Sequence, residues 1–304
     1  MILSVSRRTD IPRYYADWFM HRIAEGFVLV RQPRRPSRIT RIDLSPAAVE
    51  GMVFWSKDPA PLLPHLSQLD AQGYRYYFQY TLTPYGLDWE PGLRDKRDIT
   101  DTFIALSRHV GRERVVWRYD PIVCDETHTP AYHRAQFTAL CARLAPYTAR
   151  VTVSFVDAYR KLRGTVLEVS PAQRAVLAEY IGRTAREYGI EAVACCEEDL
   201  SAYGIGRAAC VDAALLERMA GRSLGLKRDG GQRPGCGCCA SVDIGAYDTC
   251  PAGCRYCYAN SSPAAVRHSV AAHDPAGALL TGTVGPDDCL ITPENHSTAQ
   301  MTWY

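Results

Sequence analysis

The sequence predicts an α/β protein of TIM type, a βα barrel either complete or partial, with a cysteine-rich loop near its C-terminal end. Three observations predict it. Apolar strand-like runs alternate with amphipathic helical stretches about seven or eight times, the pattern of parallel strands covered by helices. Polar and charged residues gather where those runs end. The length of 304 residues is also one that such barrels use as a single unit. With 47% hydrophobic and 22% charged residues the chain has the composition of a folded globule. No apolar run approaches the length needed to cross a membrane.

Taken in order, the strand candidates are ILSVS (2–6), a weaker ITRIDLS (39–45), MVFWS (52–56), YRYYFQYTLT (74–83), RVVWRYD (114–120), RVTVSFV (150–156), EAVACC (191–196) and SVDIGAY (241–247). Helices are expected over 13–25, 60–72, 98–110, 130–145 and 172–188. In the last, Val176, Leu177, Tyr180, Ile181 and Thr184 repeat at helical spacing and Pro171 opens the first turn. Residues 222–240 read as a Gly-rich basic loop. After 261 the periodicity fades, so the barrel is expected to span 1–260, including the loop 236–260, and 261–304 to be a trailing segment.

Barrel enzymes collect their chemistry where strands end. Arg7, Thr9 and Asp10 follow the first strand, Lys57 follows FWS, and Arg118 and Asp120 fall at the end of VVW. Charges within apolar strands are costly unless paired or used. These residues are therefore candidates for a cofactor and substrate pocket, the alternative being a structural ion pair of Arg118 with Asp120 or Asp10.

The chain holds 12 cysteines, unevenly placed. The N-terminus MILSVSRRTDIP lacks the basic and apolar regions of an export signal, so a cytoplasmic, reducing location is expected, where clustered thiols bind metal or do redox chemistry. Cys141 and Cys210 lie in apolar helical contexts and read as packing residues; Cys195 and Cys196 end an apolar strand, where burial is again the default. Cys250, Cys254 and Cys257 are different, with C-x3-C-x2-C spacing. Three thiolates on so short a loop can wrap one corner of a cuboid 4Fe-4S cluster, and Gly253 permits the tight turn. A structural zinc site or reduced free thiols are the alternatives.

DIGAYDTCPAGCRYCYA resembles the cluster-binding strand and loop of the radical S-adenosylmethionine (SAM) superfamily. That resemblance implies SAM chelating the iron left open by the three cysteines, with reductive cleavage to a 5′-deoxyadenosyl radical. The superfamily usually carries this motif after its first strand, whereas here it follows the last. A circular permutation reconciles the two, because SVSRRTDIPRYY, VFWSKDPAPLLPHL and TLTPYGLDWEP, with Glu90-Pro91, resemble successive strand ends of the spore photoproduct lyase branch. Glu90 thereby joins the pocket candidates. The superfamily's Gly-Gly-Glu motif is absent. The ordered set SRRTDIP, FWSKDP, WRYDPI and CxC…DIGxYxTCxxGCxYCYAN is closer still to a bacterial family known as domain of unknown function 1848.

Cys236 and Cys238 precede the loop as a C-x-C pair. They could build a second metal or cluster site, or close the coordination of the first cluster and leave a redox or structural protein with no SAM. The net charge of +2, from 35 basic and 33 acidic residues, gives no general attraction to nucleic acid or membrane. Arg31, Arg34, Arg35, Arg38 and Arg41, with Arg7 and Arg8, form a basic group able to hold phosphate or nucleic acid. A nucleic-acid partner therefore stays open beside a small-molecule or nucleotide-like substrate, and an electron donor is required for the radical reaction.

Overall fold

The structure, a computed structural model, describes residues 1–157, 162, 168–233 and 235–293. Residues 294–304, the end of the expected trailing segment, lie outside the described residues. Eight strands form one sheet: β1 (Ile2–Val5), β4 (Gly51–Ser56), β5 (Tyr76–Thr81), β6 (Val115–Ile122), β7 (Arg150–Phe155), β8 (Glu191–Ala194), β9 (Gly206–Arg207) and β10 (Val242–Asp243). Their spatial order is β10-β1-β4-β5-β6-β7-β8-β9, and every neighbouring pair is parallel. The last strand of the sheet thus lies beside the first.

All-parallel sheets are covered on both faces, and the strands show it. All but one residue of β5 are buried. Tyr76, Phe78 and Tyr80 enter the main core, while Tyr77 enters a second one on the opposite face. The main core is closed by α2 (Ala16–Glu25), α4 (Lys96–Val110), α5 (Pro130–Leu144) and α6 (Pro171–Glu187). Their starts follow the sequence rules. Asp95 caps α4 through the Arg97 N–H, Thr129 caps α5 through that of Tyr132, and Ser170 with Gln173 forms a capping box on α6. On the other face Ile2, Val53, Tyr77 and Val116 pack against Leu215 and Leu216 of α7 (Ala213–Ala220) and against Cys210, Cys236, Cys238 and Cys239.

Two expectations are corrected. Of the barrel expected as complete or partial, the large parallel sheet is present but no closed barrel is found: among the described residues the two edges, β9 and β10, do not pair, and each is two residues long. The segment 39–45 is not a strand of this sheet. It belongs to β3 (Arg35–Asp43), which runs antiparallel to β2 (Phe27–Gln32) in a separate three-stranded sheet. Its third strand is β11 (Cys289–Ile291), parallel to β3. Within the expected trailing segment, α8 (Pro263–Ala271) and β11 are ordered elements, and Leu279 bridges to Leu29. Two short helices, α1 (Ile11–Tyr14) and α3 (Leu66–Ala71), follow β1 and β4, and no described helix is long and apolar enough to cross a membrane.

Candidate functional site

A cavity of about 600 Å³ opens at the carboxyl ends of the parallel strands, where ligands bind in open α/β sheets. Its wall holds residues from the ends of β1, β4, β6, β7 and β8 and from the loop after β10. Asp243 ties that loop to the first strand. Its buried carboxylate accepts from Ser4 Oγ at 2.8 Å, Ser6 Oγ at 2.5 Å, and the Arg7 and Gly245 N–H groups at 2.8 and 3.0 Å.

The Cys250–Cys257 loop is held from outside. The Gly92 N–H donates to Ala252 O at 3.0 Å, and a Cβ on Gly92 would lie 2.8 Å from the Ala252 backbone, so glycine is needed for this approach. Gly253 turns the chain at φ +66°, a left-handed value that suits glycine. Asn260 Nδ2 donates to Cys250 O at 2.7 Å.

All three loop cysteines line the cavity. Burial pushes the Cys250 and Cys254 thiols up to about 12, because a thiolate loses its hydration there. Each sulfur nevertheless faces a group that favours its anionic form. The N–H groups of Ala252 and Asp10 point at Cys250, the Lys57 ammonium faces Cys254, and the Ala259 N–H donates to Cys257 Sγ at 3.3 Å. Three thiols so arranged fit a bound cationic centre, which supplies the remaining charge compensation. Among the described residues, no three Cys, His, Asp or Glu side chains converge as a lone metal ion requires.

The strand-end charges divide into two groups. Arg7, Thr9, Asp10, Lys57, Arg118 and Asp120 all line the cavity. Asp10 caps α1 and accepts the Lys57 N–H at 2.8 Å, and burial raises its carboxyl to about 6. Arg118 pairs with Asp120, donates to Cys210 Sγ at 2.9 Å, and lies 5.3 Å over the Trp55 ring. Thr9 Oγ1 and Trp55 Nε1, both on cavity-wall residues, are buried without a hydrogen-bond partner in the structure.

Glu90, by contrast, stands behind the wall. It is fully buried and accepts from Lys57 Nζ and Thr83 Oγ1, each at 2.9 Å, and from Lys96 Nζ and the Tyr256 hydroxyl. Burial would raise this carboxyl, but the charges of Lys57 and Lys96 outweigh it and hold the group at about 2. Glu90 thus positions Lys57 and Tyr256 and does not itself face the cavity. Asp58 is a second such anchor, bound to Arg13 and held by Arg94 through two 2.7 Å contacts.

Residues 2–259 match the family described as Domain of unknown function (DUF1848). The chain belongs to that family. Among curated proteins and among solved structures no match was found. The DUF1848 match takes in the whole sheet, the cavity and the loop cysteines, and stops short of α8 and β11.

In this DUF1848 protein the C-x-C pair meets cysteines read from sequence as packing. Cys236 and Cys238 contact Cys196 and Cys210, and Cys195 lies 3.3 Å from Cys210, Sγ to Sγ. Cys141 packs in the main core, as expected, while Cys195, Cys196 and Cys210 line the cavity. Their signal was available. Cys195 and Cys196 end a strand, just as the informative charges do. Asp243 and Tyr256 were missed too, since one sits in a strand and the other inside the cysteine motif. The basic group divides: Arg7 and Arg8 line the cavity, whereas Arg31 pairs bidentately with Asp288 and Arg41 stacks over Phe27 at 4.3 Å, away from its lining.

Proposed function

We propose that this protein is an iron–sulfur enzyme of radical SAM type, binding a 4Fe-4S cluster through Cys250, Cys254 and Cys257. The observation that carries the reading is the trio of thiols on one cavity wall, each facing an N–H group or a cation. Position adds support: the loop follows a strand that lies beside β1, so cluster loop and first strand end adjoin as a permuted radical SAM sheet requires. The contacts of Cys236 and Cys238 with Cys196 and Cys210 favour an open fourth iron over closure by the C-x-C pair. A reduced cluster with SAM on that iron would supply a 5′-deoxyadenosyl radical for hydrogen abstraction.

The chain's own residues then have defined tasks. Lys57, fixed by Glu90 and Tyr256, places a cation beside Cys254. Arg7 and Arg118, over the Trp55 ring at 6.0 and 5.3 Å, put two positive charges on the cavity wall, which suits a substrate carrying a carboxylate or phosphate. Nothing on the cavity wall singles out one substrate, and a small polar or nucleotide-like molecule fits its volume. Anaerobic reconstitution tests the reading. The account expects a brown protein whose reduced EPR signal shifts on addition of SAM, with both features lost in Cys254→Ala. A colourless protein holding stoichiometric zinc, or a signal indifferent to SAM, would contradict it.

A further inference from the structure

Two cysteines from neighbouring strand ends meet sulfur to sulfur on the cavity wall. Cys195 follows β8 and Cys210 follows β9. Those strands are parallel neighbours, with Ala194 opposite Arg207 and the Ala208 N–H bonded to Ala194 O at 2.8 Å. Each cysteine is also pinned through its own backbone. The Cys195 N–H donates to Val153 O at 3.0 Å, and Cys210 O accepts from the Tyr77 hydroxyl at 2.7 Å and from Gln79 Nε2 at 2.9 Å. Backbones held in this way leave the two sulfurs 3.3 Å apart, with both residues lining the cavity and neither in a disulfide.

Packing alone does not account for the pair. A thiol buried as a small hydrophobe needs no donor, yet Arg118 Nη1 donates to Cys210 Sγ at 2.9 Å. A guanidinium at sulfur favours the thiolate, which is the form that attacks another sulfur. Cys195 is only partly buried, so a small molecule in the cavity can reach the pair. Disulfide sulfurs stand about 2.05 Å apart, so closing the 3.3 Å contact takes a movement of side-chain size. Two rivals lie close by. Cys196 touches Cys195, but adjacent residues close only a strained ring, and Cys238, which touches Cys210, comes from the Gly-rich loop and not from a paired strand.

We propose that Cys195 and Cys210 are a redox-active dithiol, which closes to a disulfide as it reduces a low-molecular-weight disulfide entering the cavity. The Cys210 thiolate, its proton released to water, attacks one sulfur of the small disulfide. A mixed disulfide forms, and the thiolate that leaves takes the Cys195 proton. Cys195 Sγ then attacks Cys210 Sγ, and the second small thiolate leaves and takes a proton from water. Two electrons pass from the pair to the small disulfide, and one S–S bond replaces another. An excess of small thiol runs the same steps backward. Arg118 belongs both to this couple and to the positive wall of the cavity. On oxidation it keeps Asp120 and Gln79 and exchanges a thiolate for a weaker sulfur acceptor, so the state of the pair alters what Arg118 offers to the cavity. The dithiol does not rest on the cluster, because neither cysteine belongs to the C-x3-C-x2-C loop.

The anaerobically reconstituted full-length protein is held in glutathione buffers of rising oxidised fraction, quenched in acid and alkylated, and its linked peptides are mapped by mass spectrometry. The expected product is a Cys195–Cys210 disulfide that reverts with dithiothreitol, forms in Cys196→Ser and is absent from Cys195→Ser. Arg118→Gln should slow its formation about tenfold, and Arg118→Lys should restore most of the rate. The loop variant Cys250→Ala/Cys254→Ala/Cys257→Ala should form the same disulfide, which separates a failure of the dithiol from a failure of the cluster. Where Arg118→Gln is unfolded by circular dichroism, the peptide maps of the other proteins decide the question. Thiols at Cys195 and Cys210 that stay reduced until urea unfolds the chain overturn the proposal. So does a link from Cys210 to Cys238 in place of Cys195, or a folded Arg118→Gln that oxidises at the wild-type rate.

Discussion

Glu90 gathers two ammonium groups and two hydroxyls around one carboxylate, and so sets the position of Lys57 beside Cys254. Glu90→Gln keeps the shape but leaves Lys57 and Lys96 without their counter-charge, and breaking a buried pair in this way costs about 3–5 kcal/mol. Urea denaturation should show that loss; an unchanged midpoint would mean that the lysines find water instead. His133 provides a second check. Its Nε2 donates to Val123 O at 2.7 Å, so Nδ1 accepts from Tyr119, and the buried ring is held neutral with its pKa lowered to about 4, chiefly by burial. The unfolded chain binds this proton more readily than the folded one. Stability owed to His133 is therefore intact above about pH 6.5 and is lost as pH falls towards about 4, by about 3 kcal/mol in all. His133→Gln should flatten that part of the stability profile. At this scale the sequence was informative about which charges matter, because a charge at the end of an apolar strand must be satisfied. It was silent on which side of the wall each one faces: Asp10, found at a strand end, lines the cavity, while Glu90, found only through the resemblance, lies outside its lining.

Elements carry their own signals in caps and turns. Pro171 announces α6 in the sequence, and the structure adds a capping box of Ser170 with Gln173. Ser170→Ala should cost about 1 kcal/mol of stability, read as a lower denaturation midpoint with metal content unchanged. Gly92→Ala acts elsewhere. Its new Cβ would press on the Ala252 backbone, so the variant should fold yet bind less iron than wild type, which iron analysis after reconstitution would show. Full iron content would mean that the cluster loop yields to this contact. The long helices and the central strands were legible because their apolar periods are clean. The hairpin of β2 and β3 was not, since its arginines break the alternation, and one of its strands was assigned to the wrong sheet. The short edges β9 and β10 hold too few residues for a periodic signal, which is why closure could not be judged from sequence.

In the whole molecule, an open parallel sheet brings the last strand beside the first and so joins chain ends far apart in sequence. Cysteines from separate segments line one cavity through that topology: the loop after β10 supplies three, the segments after β8 and β9 supply Cys195, Cys196 and Cys210, and the loop before β10 supplies Cys236 and Cys238. Sequence spacing revealed the first group because it is local. The second is assembled from three segments and needed the fold to appear. The segment beyond residue 261 reaches back through β11 to β3, so truncation after Asn260 would strip the edge of that small sheet. Such a truncated chain should lose solubility or melt lower than wild type. The central claim concerns chemistry at the cavity, and one measurement bears on it most directly: 5′-deoxyadenosine formed from SAM by the reconstituted, chemically reduced protein. The account predicts deoxyadenosine from wild type and none from Cys254→Ala; no deoxyadenosine from a wild-type protein carrying its full complement of iron and sulfide would contradict it.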